Sequence, residues 1–366
     1  MMRRLDRFLY RKERSLGERI LLFPLYLLSL PYGWAVRTRS LLYSLQLLKT
    51  RGLPCPVISV GNITAGGTGK TPLVMALARQ LMGRGISVAI LSRGYKGTRT
   101  CEPVVSDGRN LFLSPEQSGD EPFLMAQVCK GVPVLVGKDR FANGRVAVQR
   151  FGTKGVLLDD GYQHLPLRRD LDILLIDSRL GFGDDHLLPR GILREPLSHL
   201  HRAHLFLLTK VEDLEASQPL EKRLHEIHPR AQVFHSHYQP MSLVDSRGKE
   251  EEEPDSLKGK KILALSGIAN PDSFSTLLRK CGAEIVNEVI FPDHHFYRPQ
   301  DLSFIKEKGE GVDWIVTTEK DMLKLQPLGV DDLPIRALRI EIKIWEDEAF
   351  FKRIISLFWE EEERRS

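Results

Sequence analysis

The stretch that most limits how this chain can fold is residues 57–71, Val-Ile-Ser-Val-Gly-Asn-Ile-Thr-Ala-Gly-Gly-Thr-Gly-Lys-Thr. A short β-prone run enters a glycine-rich turn, and residues 72–82 then read as a helix. Glycines let successive backbone N–H groups curl around phosphate oxygens, and the start of a helix adds positive potential. Gly66, Gly67, Thr68, Gly69, Lys70 and Thr71 are therefore candidate nucleotide-binding residues. Lys70 would bridge the terminal phosphates, and the Thr71 hydroxyl would ligate Mg²⁺. Pro72 fits, because the first helical turn has no intrahelical N–H bond to lose. A strict G-x-x-x-x-G-K-[ST] pattern needs glycine where Thr64 stands, so this loop is a variant in which Gly66 and Gly67 supply the freedom.

A loop of this kind belongs to an α/β fold. Residues 88–92, 132–136, 156–158, 171–176 and 205–208 are continuous apolar runs separated by helical stretches. Strands buried on both faces read this way, which predicts a mainly parallel sheet with crossover helices. A Mg²⁺ carboxylate is expected at the end of a neighbouring strand. Residues 155–161, Gly-Val-Leu-Leu-Asp-Asp-Gly, offer Asp159 and Asp160; Asp177 is a rival, and a plain polar turn is the bland alternative.

The organisation predicted is a P-loop core over residues 51–230, a linker or hairpin over 231–260 and a smaller α/β lobe over 261–366. The polar stretch 245–259, with glutamates at 250–253, reads as an exposed turn or linker. The alternation in 335–344 predicts a half-buried strand that returns to pair with 232–238, so that the chain crosses between the lobes twice.

Charge singles out the N-terminus. Residues 1–51 carry a net +8, and the rest of the chain carries −3. That distribution does not favour a nucleic-acid face on the folded domains. Residues 20–34 are almost wholly apolar, yet fifteen residues make only ~22 Å of helix against the ~30 Å of a bilayer core, and Pro24 and Pro31 would kink it. Residues 1–50 read either as a core helix or as a monotopic, Arg-rimmed anchor on an anionic membrane surface; we adopt the second. A composition of 42% hydrophobic and 28% charged residues excludes a multi-span membrane protein and a disordered chain. Four scattered cysteines exclude a disulfide scaffold and suit a reducing compartment.

Further motifs occur in order: Ser92-Arg93-Gly94-Tyr95, Gly119-Asp120-Glu121-Pro122, Asp159-Asp160-Gly161-Tyr162-Gln163-His164, Leu193-Arg194-Glu195-Pro196, Asp293-His294-His295 and Thr318-Glu319-Lys320-Asp321. With the phosphate loop, this set resembles the tetraacyldisaccharide 4′-kinases, the lipid A 4′-kinases of Gram-negative bacteria. The resemblance implies a P-loop kinase on the cytoplasmic face of the inner membrane. It would move the γ-phosphoryl of ATP to the 4′-hydroxyl of an acylated disaccharide 1-phosphate, with no nucleic acid and no obligate protein partner. It further implies Lys70 and Thr71 on ATP and Mg²⁺, and Asp159 and Asp160 on the metal. Asp120 would be the general base, paired with His294 and with His295 adjacent. Arg93, Tyr95, Arg140, His164 and Arg194 would lie near the substrate.

Elementary alternatives stand beside these roles. Asp120 after Gly119 also fits a helix cap, and Arg93 with Tyr95, Lys96 and Arg99 also fits a solvated loop. His199, His201 and His204 read as an exposed helix face rather than a metal site. The rival function is a GTPase-like regulatory NTPase, faintly suggested by Thr209-Lys210-Val211-Glu212, although glutamate stands where a guanine-reading motif needs aspartate.

Overall fold

The computed structural model describes residues 15–94, 97, 102–248 and 251–363. The strands are β1 (Val57–Gly61), β2 (Val88–Ser92), β3 (Val104–Ser106), β4 (Val134–Val136), β5 (Gly155–Asp159), β6 (Leu171–Asp177), β7 (Leu205–Thr209), β8 (Gln232–Val244), β9 (Glu251–Glu252), β10 (Lys261–Ser266), β11 (Glu284–Ile290), β12 (Trp314–Thr318) and β13 (Ile335–Ile344). They form one sheet in the order β11-β10-β12-β13-β8-β7-β6-β1-β5-β2-β4-β3, with β9 paired to β8.

In the nucleotide half, β1, β2, β5, β6 and β7 are buried along their whole length and pair in parallel. Their alternate residues serve different faces. Ile58 and Val60 pack with the helices Lys70–Gly83 and Asp120–Val128, while Val57 and Val156 pack with the helix Arg140–Phe151. β5 lies against β1 with Val60 opposite Asp159, so the Asp159-Asp160 pair opens beside the loop that follows β1.

β8 joins the two halves. Its first residues pair with β7 in parallel, and its later ones pair with β13 antiparallel, from Ser236↔Ile344 to Val244↔Ala337. The chain thus leaves the nucleotide half on one strand and returns on its neighbour. The returning chain does not stay in the C-terminal lobe: the helix Asp347–Glu363 places Phe350, Phe351, Ile354 and Phe358 in the core of the nucleotide half. This differs from a C-terminal lobe running to residue 366. Its cause is the row of aromatic and aliphatic residues on one helix face, buried against β-strands rather than in water.

Two local expectations are corrected. The 245–259 stretch is not a free turn, because Glu251 and Glu252 form β9 and meet Arg339 and Arg336, while Leu257 is fully buried. Pro31 does not interrupt its helix, which runs Phe23–Ser44; Pro24 sits in the first turn, where no bond is lost. That helix lies on the nucleotide half through Ser29 and Gly33, and a Cβ at Gly33 would stand 2.6 Å from Leu187 Cδ1. Its other face exposes Phe23, Leu27, Leu30 and Trp34. No helix among the described residues is long and apolar enough to cross a membrane.

Candidate active site

The phosphate loop spans residues 62–69, between β1 and the Lys70–Gly83 helix. Gly69 caps that helix with φ 91°, a left-handed value that glycine adopts without strain. Space is also short there, since a Cβ would lie 2.4 Å from Tyr238 Oη on β8. Lys70 and Thr71 are the first residues of the helix, where unpaired N–H groups favour phosphate. Asn62 Nδ2 donates to Thr68 Oγ1 (3.0 Å), and Lys70 Nζ donates to Asn62 Oδ1 (3.2 Å). From β7, Thr209 Oγ1 donates to the Thr68 carbonyl (3.0 Å), and Lys210 Nζ donates to the Gly67 carbonyl (3.0 Å). Lys210 is also paired with Asp177. Thr209 and Lys210 therefore brace the loop backbone, and Asp177 is paired with Lys210.

Asp159 is buried at the end of β5. Its Oδ2 accepts from Ser92 Oγ (3.0 Å), Arg140 donates to its carbonyl (3.0 Å), and Oδ1 has no hydrogen-bond partner among the described residues. Burial, and then the carboxylates of Glu121 and Asp160, push its pKa up to about 7. Burial acts the same way on Asp160, but Lys70, Arg194 and Arg140 outweigh it and hold that carboxyl below its usual range. Lys70 Nζ lies 3.4 Å and Arg194 3.2 Å from Asp160. The site is thus short of positive charge at Asp159 Oδ1. Mg²⁺ needs only one or two carboxylates besides phosphate and water oxygens, so Thr71, Asp159 and Asp160 suit it, although no cluster of three or more acidic, histidine or cysteine ligands occurs among the described residues.

One cleft of about 1180 Å³ runs from Tyr32 and Arg39 on the N-terminal helix, past the phosphate loop, to His294 and Lys320 on the C-terminal lobe. Arg93, Arg140, His164 and Arg194 all border it. Tyr95 lies outside the described residues. Burial, with help from Arg140, Arg169 and Arg39, pushes His164 down to about 4, so its ring is neutral at neutral pH. Tyr32 Oη donates to the Arg194 carbonyl (2.8 Å) and Arg39 donates to the Gln163 carbonyl (3.1 Å), which ties the N-terminal helix to the cleft wall.

Asp120 begins the helix Asp120–Val128, but Gly119 occupies the capping position and Asp120 makes no side-chain cap bond. Its Oδ2 instead faces the other lobe, 3.2 Å from His294 Nδ1 and 3.4 Å from Lys324 Nζ. Burial works against ionisation of Asp120, yet His294, Lys324 and Lys320 hold its pKa below the ordinary carboxylate value. His294, with φ 59°, borders the cleft, and Asp120 stands behind it. His295 is turned elsewhere: Nε2 lies 3.0 Å from Asp301, and its ring stacks 4.5 Å from that of Phe291. The histidine partner of Asp120 is therefore His294. Lys320 Nζ reaches Glu121 (3.4 Å), Asp293 (3.4 Å) and His294 Nε2 (3.5 Å).

The sequence reading gave no role to Lys320 and Lys324, though their spacing of four on one helix put them on a common face. Asn62, Tyr32 and Tyr238 were likewise missed, and only Asn62 had a signal, as a member of a quoted motif, while Glu121 reads as a supporting acid and Arg39 as part of the basic N-terminal rim. Of the histidines at 199–204, His201 and His204 are exposed, as expected, whereas His199 is half-buried and pairs with Glu195.

A phosphate cradle on one wall, two carboxylates at the adjacent strand end and an acid–imidazole pair formed between the two lobes are what a P-loop kinase needs around an acceptor hydroxyl. A sequence profile described as tetraacyldisaccharide-1-P 4′-kinase matches residues 21–358. The chain is 44% identical to the tetraacyldisaccharide 4′-kinase of Pelobacter propionicus over 316 residues, covering 86% of each protein. It is 40% identical to that of Syntrophus aciditrophicus over 347 residues, covering 90% of this chain and 91% of the relative. Among solved structures, LpxK from Aquifex aeolicus in complex with ATP superposes with a TM-score of 0.74 at 34% identity, covering 92% of this chain and 99% of that one. The chain belongs to the tetraacyldisaccharide 4′-kinase family, and it is a kinase.

Proposed function

We propose that this cleft performs the reaction the family is named for: ATP-dependent phosphorylation of the 4′-hydroxyl of a tetraacyldisaccharide 1-phosphate, a step in lipid A synthesis. The observation that carries the assignment of roles is the Asp120–His294 pair, which is made across the lobe boundary and whose His294 borders the same cleft as Lys70.

Phosphoryl transfer depends on positioning, charge neutralisation and one acceptor for the hydroxyl proton. The backbone of residues 66–69 and Lys70 hold the phosphates of ATP, and Arg194 adds a second cation beside Asp160. Thr71, Asp159 and Asp160 would hold Mg²⁺, which when bound neutralises phosphate charge. The hydroxyl proton passes to the Asp120–His294 pair: His294 fronts the cleft, and Asp120 orients the ring and balances its charge. Arg93, Arg140 and the neutral His164 border the cleft that the N-terminal helix also lines, and there the anionic disaccharide head would rest, with Tyr95 nearby in sequence.

The exposed Phe23, Leu27, Leu30 and Trp34 give that helix an apolar face beside the cleft mouth, and the preceding segment is rich in arginine. We assign it to peripheral attachment at the anionic, cytoplasmic surface of the inner membrane, so that a lipid substrate enters without leaving the bilayer. The 51–230, 231–260 and 261–366 units serve as nucleotide core, hinge and proton-accepting lobe, with the last helix returning to the core.

The test is a product assay: ³²P from γ-labelled ATP should appear on the tetraacyldisaccharide 1-phosphate. Label released only as free phosphate, with GTP preferred, would instead support the regulatory NTPase. Leu27→Glu with Trp34→Glu should reduce sedimentation with anionic vesicles while leaving turnover on detergent-dispersed substrate intact; unchanged sedimentation would place the membrane contact elsewhere.

A further inference from the structure

Lys324 lies one turn after Lys320 on the helix Glu319–Leu325, and its side chain is only 6% exposed. Its Nζ is 3.4 Å from Asp120 Oδ2 in the facing half and 3.4 Å from Asp321 Oδ1 on its own helix, and it lies 5.6 Å over the ring of Tyr297. Asp321 is a fixed point. It is fully buried, and its Oδ2 accepts from the Gly267 N–H (2.8 Å) and from Thr318 Oγ1 (2.8 Å). Lys324 therefore spans from an anchored carboxylate to the carboxylate that pairs with His294.

The two lysines of this helix divide their work. Lys320 borders the cleft and reaches Glu121, Asp293 and His294 Nε2, whereas Lys324 does not border it and meets Asp120 from behind. A buried ammonium is costly to desolvate, and a well-packed apolar side chain often serves as well where only packing is required. This one stands where a cation bears directly on the proton-accepting pair.

We propose that Lys324 is a positioning residue for phosphoryl transfer, holding the Asp120 carboxylate in register with His294 from across the lobe boundary. The inference rests on the Asp120–His294 pair being the proton acceptor. Lys324 does not touch substrate; it acts through Asp120. The contacts from His294 and from Lys324 both fall on Asp120 Oδ2. A displacement of about 1 Å at such a group costs on the order of 10²-fold in rate. Asp120 is faced by His294, Lys320 and Lys324, all from the C-terminal half, with Glu121 beside it on its own helix.

The experiment compares full-length wild type with Lys324→Met, Lys324→Arg, Asp120→Asn and the Asp120→Asn/Lys324→Met double variant. It measures kcat, KM for ATP, the pH profile and Tm on ATP and a tetraacyldisaccharide 1-phosphate. Lys324→Met should lower kcat about 10²-fold with KM for ATP nearly unchanged. Removing the cation lets the Asp120 pKa rise, so the acid limb should move up by about one unit. Lys324→Arg should recover most of the rate, and the double variant should be no slower than Asp120→Asn alone. Should Lys324→Met not fold, Lys324→Gln carries the same comparison. Wild-type kcat and pH profile in a variant with only a lower Tm would overturn the positioning role, as would an additive loss in the double variant. An Asp120→Asn enzyme with wild-type turnover would instead overturn the proton-accepting pair itself, and that result is read separately.

Discussion

The walls of the cleft are held by different means. On the nucleotide side, Asp159 and the phosphate loop sit at the ends of β5 and β1, strands buried at every residue and flanked by parallel neighbours. On the opposite side, β11 is an edge strand on which only Val289 is buried, and the site residues His294, Lys320 and Lys324 come from a loop and a seven-residue helix. Sheet backbone places the first set, and side-chain bonds from Asn62, Thr209, Lys210 and Ser92 brace it. Ion pairs and hydrogen bonds to other side chains fix the second, so its geometry depends on Asp321, Glu121 and Asp293 as well. The lesson is that the wall bearing Lys70 and Asp159 is set mainly by sheet topology, while the wall proposed to accept the proton is assembled by electrostatics across the lobe boundary.

Substitutions can break or sharpen that contrast. The largest effect is expected from Lys70→Ala, which removes the only loop cation while leaving β1 and its neighbours intact. Turnover should fall by about 10⁴-fold or more with little change in Tm. Appreciable turnover with Tm unchanged would show that the stiff wall does not hold the phosphates.

Next, Asp120→Ala and His294→Ala should each lower kcat on the order of 10³-fold, and the double variant should lose little more, because the two act as one unit. KM for ATP should barely move. Multiplicative losses would mean that the two residues work independently and that the second wall is not a unit.

Asp159→Asn separates charge from scaffold. The raised pKa of Asp159 means the fold favours its protonated form, so its contribution to stability is present at low pH and is lost as pH rises toward about 7. Metal-free Asp159→Asn should therefore melt about 2–4 °C higher than wild type at pH 8 and at the same temperature near pH 4, while Mg²⁺ binding weakens at least ~10-fold. Equal melting temperatures at pH 8 would show that the buried carboxylate is already neutralised by its neighbours.

The smallest effect should come from Arg79→Met. Arg79, on the Lys70–Gly83 helix, reaches Glu341 on β13 at 3.3 Å, and both side chains are partly exposed. Such a pair contributes at most ~1 kcal/mol. A Tm shift of at most about 2–4 °C with unchanged kcat is expected, and a large loss of rate would mean that the hinge strands, rather than the Lys324 contact, set the lobe register.

The strand runs, the phosphate loop, the Asp159-Asp160 end of β5 and the return of 335–344 onto the strand that begins at 232 were legible in the sequence, although its partners there are 236–244 and residues 232–235 pair with β7. Each rests on a local rule: continuous apolarity for a doubly covered strand, glycine for a left-handed turn, alternation for a half-buried strand. By contrast, the doublet His294-His295 carries no local sign of which ring turns toward Asp120, and that pair is 174 residues apart in the chain. The choice was made by Phe291 and Asp301, which occupy His295, and by the left-handed backbone at His294. Nor does any local pattern announce that the final helix docks on the nucleotide half, that Glu251 and Glu252 meet arginines of β13, or that Lys324 spans Asp321 and Asp120. Local rules determined the elements and the phosphate loop, because steric freedom and periodic burial act over a few residues. Tertiary structure decided the wall proposed to accept the proton, because the charges that compose it meet only when two halves, joined by a pair of strands, close on one cleft.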